Sequence, residues 1–133
     1  EREGASVIMA GAFEVKASVH HIPIAVQKVR LVCNVVRGKN ADEALATLRF
    51  MPQTAAGVVS KLVESAVVNA EQKFGLEMGE IYVRRIYAEK GPQHRKAPHG
   101  GRFAGRGRFR PIIRRSSHIT VVLAEREVVD YDN

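Results

Sequence analysis

Arg95, Lys96, Arg102, Arg106, Arg108, Arg110, Arg114 and Arg115 crowd into one stretch of the chain, with Phe103 and Phe109 set between them. Guanidinium groups make forked hydrogen bonds to phosphate and stack on flat rings. Aromatic side chains among them can stack on unpaired bases or wedge into crevices of a folded RNA. The segment 90–115, KGPQHRKAPHGGRFAGRGRFRPIIRR, carries seven Arg, two Lys and none of the chain's 14 carboxylates. Elsewhere 12 basic residues face those 14 acidic ones, so the whole formal charge of +7 originates in this segment. Unpaired like charges repel, and such a segment calls for a polyanion, with nucleic acid the first candidate. A solvated loop is the plainer alternative. The lack of any acid, the excess of Arg over Lys and the two phenylalanines argue against it.

Other groupings support no chemistry of their own. Gly105 and Gly107 are not followed by the Lys-Ser/Thr pair and helix of a phosphate loop. The pairs His94/His99 and His20/His21 have no cysteine or carboxylate beside them to complete a metal site. Cys33, the single cysteine, falls on an apolar stripe and reads as a buried structural thiol. His118 has Ser116 and Ser117 beside it, but neighbours on a strand point to opposite faces, so they form no triad. The sequence thus offers no catalytic constellation and no cofactor site, and the expectation is a protein that is not an enzyme. One cysteine also rules out an intrachain disulfide framework. No apolar run reaches the roughly 18 residues of a membrane helix, and the first residues lack the blocks of a signal peptide.

The elements that must carry the basic segment follow from periodicity. Phe13, Val15, Ala17 and Val19 alternate with polar residues and predict a strand. Pro23 is placed in the first turn of a helix in which Val26, Val29, Cys33 and Val36 recur at helical spacing, with Gly38 as its stop. Arg30 and Arg37, seven apart, share one face of that helix. Asn40 and Glu43 have the spacing of a capping box opening a short helix to about Phe50. After Met51-Pro52 a longer helix is predicted over 54–74, with an apolar stripe through Val58, Val59, Leu62, Val63, Ala66, Val67, Ala70 and Phe74. Residues 81–89 and 117–124 are rich in β-branched and aromatic types and read as strands. The last two strands are the natural arms of an antiparallel hairpin whose far end is the basic segment. Each limb of about 12 residues would project roughly 40 Å at 3.3 Å per residue.

Three stretches together resemble a known family. QKVRLVCNVVRGK at 27–39, ESAVVNAEQ at 64–72, and EKGP at 89–92 followed by a basic arm and RRSSHITVVL at 114–123 are similar, in the same order, to bacterial-type large-subunit ribosomal protein twenty-two. The resemblance covers about residues 23–125. It implies three helices packed on a three-stranded antiparallel sheet from which a long β-hairpin protrudes, an α+β fold. It further implies a structural constituent of the large ribosomal subunit that binds ribosomal RNA and supports subunit assembly. The globular part would lie near the peptide exit port, and the hairpin would line the exit tunnel near a loop of ribosomal protein four, beside the nascent polypeptide. The hairpin match carries Arg95, Lys96, Arg106, Arg108, Arg114 and Arg115 over as RNA contacts, and the helix match adds Lys28, Arg30, Arg37 and Lys39. Lys90 of EKGP and His118 of RRSSHITVVL complete that set. Arg102, Arg110, Phe103 and Phe109 rest on the physical argument.

The arm departs from the family's pattern, close to KRxxPRAxGRAxxIxKR, in being longer and richer in glycine. It also has Pro111 on the returning strand, where interrupted pairing is expected. Entry to the first helix through Ile22-Pro23 likewise lacks the usual Ser or Thr cap. Such drift suits a ribosome of the bacterial cytoplasm or of an organelle interior. The division expected is one domain, 1–133, with a globular body at 13–89 and 116–126, the arm at 90–115 and an acidic tail at 127–133. A DNA-architectural protein with basic β-arms is the runner-up, distinguished by dimerisation and bending of duplex DNA.

Overall fold

The computed structural model describes residues 14–96 and 98–125. Phe13, the residues before it and the acidic tail lie outside that range. In chain order the elements are β1 (Val15–Ile22), α1 (Val26–Val36), α2 (Ala41–Phe50), α3 (Thr54–Phe74) and a 3-10 turn (Met78–Glu80). Then come β2 (Ile81–Lys90), β3 (His94–Arg95), β4 (Gly101–Phe103), β5 (Phe109–Pro111), β6 (Ile113–Arg114) and β7 (Ser117–Glu125). β1, β7 and β2 form an antiparallel sheet with β7 in the centre.

The core residues of β7 are Ile119, Val121 and Leu123, alternate positions that share one face. All three helices pack on that face. Val29, Val32, Cys33 and Val36 come from α1, Leu45 and Leu48 from α2, and Val59, Val63, Ala66 and Val67 from α3. The fold is α+β, with three helices on a three-stranded antiparallel sheet and a protruding hairpin.

β2 does not alternate as a simple strand would. Ile81 and Val83 face the core, and after a bulge at Arg84–Arg85 the core positions become Ile86 and Ala88. The extra residue re-phases the strand by one, so the apolar pattern switches from odd to even numbers. A second bulge lies in β1 between Val19 and Ile22, where His21 takes φ 58°. Arg84 pairs with Glu14, and the more distant Arg85 Nη2 stands 3.9 Å from the same carboxylate.

Two local expectations are corrected. Pro23 is not in the first turn of α1, because the Ile24 N–H donates to the Ile22 carbonyl (2.8 Å) and closes a tight turn around the proline. The helix opens only after Ala25. Asn40 does stand before α2, but its side chain makes no cap, and its Oδ1 is buried without a partner among the described residues. The adjoining backbone is drawn to the sheet instead. Gly38 N–H donates to Val83 O, Val83 N–H to Lys39 O (both 2.9 Å), and Asn40 bridges Tyr82.

Candidate nucleic-acid interface

Beyond the body, β2 and β7 remain paired to Lys90 opposite Ser117, and the two limbs continue as β3 with β6 and β4 with β5. The ladder is interrupted at the neck, between the pairs Lys90–Ser117 and His94–Arg114, and again farther out. Arg95 faces Ile113 and Gly101 faces Pro111, so on the returning limb Ile112 alone separates the two ladders. This outer break is tied at both ends: Lys96 N–H donates to Ile112 O (2.9 Å), Ile112 N–H to Gly100 O (3.0 Å), and Gly100 N–H to Lys96 O (2.7 Å).

The outer break does fall beside Pro111, yet proline does not cause it. The bonds Ile112 N–H to Gly100 O and Ala104 N–H to Arg108 O set the parity of the ladder. By alternation, Gly101 opposite Pro111 is a non-hydrogen-bonded pair, where a missing N–H forfeits nothing. Such pairs are also the close ones. A Cβ at Gly101 would stand 2.8 Å from Pro111 Cα and from the Phe109 ring, so only glycine fits there. At the tip, Gly105, Arg106 and Gly107 all have positive φ, at 75°, 50° and 74°. For Arg106 that is an uncommon backbone conformation.

Between those points the ribbon has two unlike faces. Phe103 and Phe109 stand opposite each other with ring centroids 6.2 Å apart in an edge-to-face arrangement. Phe103 is 87% exposed and Phe109 41%, and the Arg95 guanidinium carbon lies 5.9 Å from the Phe109 centroid. One step along the strands, on the other face, Arg102 stands directly opposite Arg110. Like charges so placed destabilise a bare ribbon. Arg95, Lys96, Arg102, Arg106, Arg108, Arg110, Arg114 and Arg115 are all exposed. None meets a carboxylate among the described residues.

The remaining candidate residues lie on the body and differ from one another. Lys28 and Lys90 are exposed, and Lys39 is half-buried. Arg30 Nη2 reaches the Ala88 carbonyl at 3.4 Å, and Arg37 donates to Ile86 O (2.8 Å) and to Asn34 Oδ1 (2.9 Å). The shared face of Arg30 and Arg37 is thus turned to the outer edge of β2. His118 is half-buried, and its Nδ1 accepts the His21 backbone N–H at 3.1 Å, so the ring is tied into the β1 bulge. The rings of His20 and His21 lie 4.9 and 5.0 Å from it. Among the described residues no group of histidines, cysteines or carboxylates is arranged to hold a metal. Sequence reasoning missed one relationship: Lys28 and Arg30 share a single cleft with Lys90 and Arg115. No spacing signals it, because the two halves are brought together by the register of β2 on β7.

The family described as Ribosomal protein L22p/L17e matches residues 17–124, which span the sheet, the helices and the whole arm. The chain belongs to that family. Among L22p/L17e proteins it is 44% identical over 115 residues to the large ribosomal subunit protein uL22 of Clostridium kluyveri, covering 86% of this chain and 99% of that one. It is 42% identical over 113 residues to the uL22 of Thermomicrobium roseum, covering 84% and 92%. It is also 42% identical over 113 residues to that of Bdellovibrio bacteriovorus, covering 85% and 99%. As an L22p/L17e member the chain is a ribosomal protein of the large subunit, not an enzyme.

Proposed function

We propose that this chain binds large-subunit ribosomal RNA, supports subunit assembly and lines the nascent-peptide exit tunnel with its arm. The observation that carries the reading is Arg102 opposite Arg110 on an exposed ribbon without a single carboxylate. That arrangement repels itself in isolation and gains stability when phosphates lie along it. Phe103 on the opposite face offers a ring to an unpaired base. Arg95, Lys96, Arg106, Arg108, Arg114 and Arg115 extend the phosphate contacts along the limbs, and Lys28, Lys39 and Lys90 add contacts from the body. The body at 13–89 and 116–126 acts as the anchor and the segment 90–115 as the reaching element. Near the tunnel constriction the arm's neighbours are a loop of ribosomal protein four and the nascent polypeptide. The bacterial relatives support a bacterial-type ribosome, whether in a bacterial cytoplasm or inside an organelle. No helix among the described residues is long and apolar enough to cross a membrane.

The test is fractionation followed by crosslinking. The chain sediments with large subunits in low magnesium and moderate salt, and a photocrosslinker at position 106 captures ribosomal RNA or nascent peptide. Recovery only with duplex DNA, as a dimer, would sink the reading in favour of an architectural DNA-binding protein.

A further inference from the structure

Positive charge is also gathered in a cleft at the neck of the arm, away from its tip. A cleft of about 570 Å³ opens between the start of α1 and the root of the hairpin, and four cationic residues line it: Lys28, Arg30, Lys90 and Arg115. They come from α1, the end of β2 and the segment that enters β7, and among the described residues no carboxylate lines the cleft with them. Two of the walls are fixed. Arg30 Nη2 is held at 3.4 Å from Ala88 O, and the Ser116 hydroxyl donates to Pro92 O at 2.6 Å across the neck. The floor includes Val26 and Gln27, the first residues of α1. That helix has no side-chain cap and no acid in its first turn. Among the described residues, the first helical N–H groups to find backbone acceptors are those of Lys28 and Val29, both on Ala25 O. The open N–H groups of Val26 and Gln27, at the positive end of the helix, therefore belong to residues that line the same cleft as the four cations.

We propose that this neck cleft seats one backbone phosphate of the RNA. It rests on the reading that the chain binds ribosomal RNA, and it specifies a site that the tip contacts do not require. A phosphodiester matches the donor set because its two free oxygens can accept forked bonds from Arg115 and Arg30 and backbone N–H bonds from α1 at once. The volume is that of a small-ligand pocket, with room for the sugars on either side. Since Lys90 and Arg115 belong to the two limbs while Lys28 and Arg30 belong to the body, a seated phosphate is shared by both parts and ties one to the other. It thereby sets the direction in which the arm leaves the body.

The full chain is titrated with inorganic phosphate at constant ionic strength, with chloride as the matched control, while backbone amide resonances are followed. Saturable shifts are expected at Val26 and Gln27 and only small linear drift at Arg106 and Gly107. A Lys28→Gln/Arg115→Gln variant, altered at two exposed positions, should keep its remaining spectrum and lose the saturable shifts. Equal response to chloride, or no response at Val26 and Gln27, overturns the site. In parallel, affinity for a large-subunit ribosomal RNA transcript is measured against salt. The neck variant should lower the slope by roughly 0.7–1, and an Arg102→Gln/Arg110→Gln variant should lower it independently. An unchanged slope in the neck variant alone removes the cleft and leaves the RNA reading standing. No salt-dependent binding by the unaltered chain removes both.

Discussion

The Arg37 guanidinium donates to the carbonyl oxygen of Ile86 at 2.8 Å, across 49 residues of sequence. Ile86 lies on β2, an edge strand of the sheet, and its outward carbonyl would otherwise be an open ladder acceptor. Arg30 treats Ala88 in the same way one step along, and Gly38 and Lys39 close the edge at Val83 with their backbone. A basic helix face that reads as a solvated or RNA-facing surface is therefore partly an edge cover. Arg37 is the residue most committed to it, because its other terminal nitrogen is held by Asn34.

Replacing Arg37 by Ala should accordingly act on stability before it acts on binding. Loss of a charged hydrogen bond to a part-buried carbonyl is expected to cost about 1.5–2 kcal/mol. Urea unfolding of the isolated protein reads this directly. A change within experimental scatter would assign Arg37 to the RNA alone.

Much of this was legible in the sequence. The helix at Thr54–Phe74 has the bounds its apolar stripe predicts, and Gly75 ends it with φ 65°, although Val58 is only partly buried and Phe74 is exposed. β7 is announced by its β-branched run. What escaped was set by partners distant in sequence. The bulge at Arg84–Arg85 depends on the register against β7, and Asn40 fails as a cap because Tyr82 and Val83 claim the chain around it. The charge of the arm was visible as composition. Its division into an aromatic face and an arginine face was not, since that needs the cross-strand register at Phe103–Phe109. The resemblance pointed to the hairpin, but the tolerance of Pro111 follows only from the parity of the ladder.

Cys33 is fully buried on α1, and loss of hydration pushes its thiol from the ordinary 9.0 up to about 11, with Arg37 and Arg30 pulling weakly the other way. In the unfolded chain the thiol ionises near 9, whereas the fold retains the proton. The folded state binds more protons in this interval, so stability is intact below pH 9 and falls as pH rises toward 11. Replacing Cys33 by Ala should flatten that part of the pH profile while costing about 1 kcal/mol or more in packing at neutral pH. Thiol-alkylation rates offer a second check: native protein should react only at the rate at which it unfolds.

Gly101 is the point at which the arm's two limbs come closest. A methyl group there would meet Arg110 O and stand 2.8 Å from Pro111 Cα. Gly101→Ala should force β4 and β5 apart while leaving the body unchanged, with a shift in its unfolding free energy below about 0.5 kcal/mol. Cross-strand contacts between Phe103 and Phe109 should vanish from proton spectra, and RNA affinity should drop. Retention of those contacts would show that the ribbon can slide to accommodate the methyl.

Arg102 and Arg110 face each other with no acid to separate them, so stability of the free arm and affinity for a polyanion should move in opposite directions. Arg102→Glu creates an opposite-charge cross-strand pair, worth roughly 0.2–1 kcal/mol to the isolated ribbon. It should raise the order of the free arm, measured by amide relaxation at Arg102, Phe103, Phe109 and Arg110. The same change removes one phosphate partner and adds a repulsive charge, so the affinity for ribosomal RNA should fall and its salt slope should shrink. Arg102→Gln should fall between on both scales. If the glutamate variant bound RNA as tightly as the parent, the arginine face would be a solvated surface and the paired charges would have no ligand to answer.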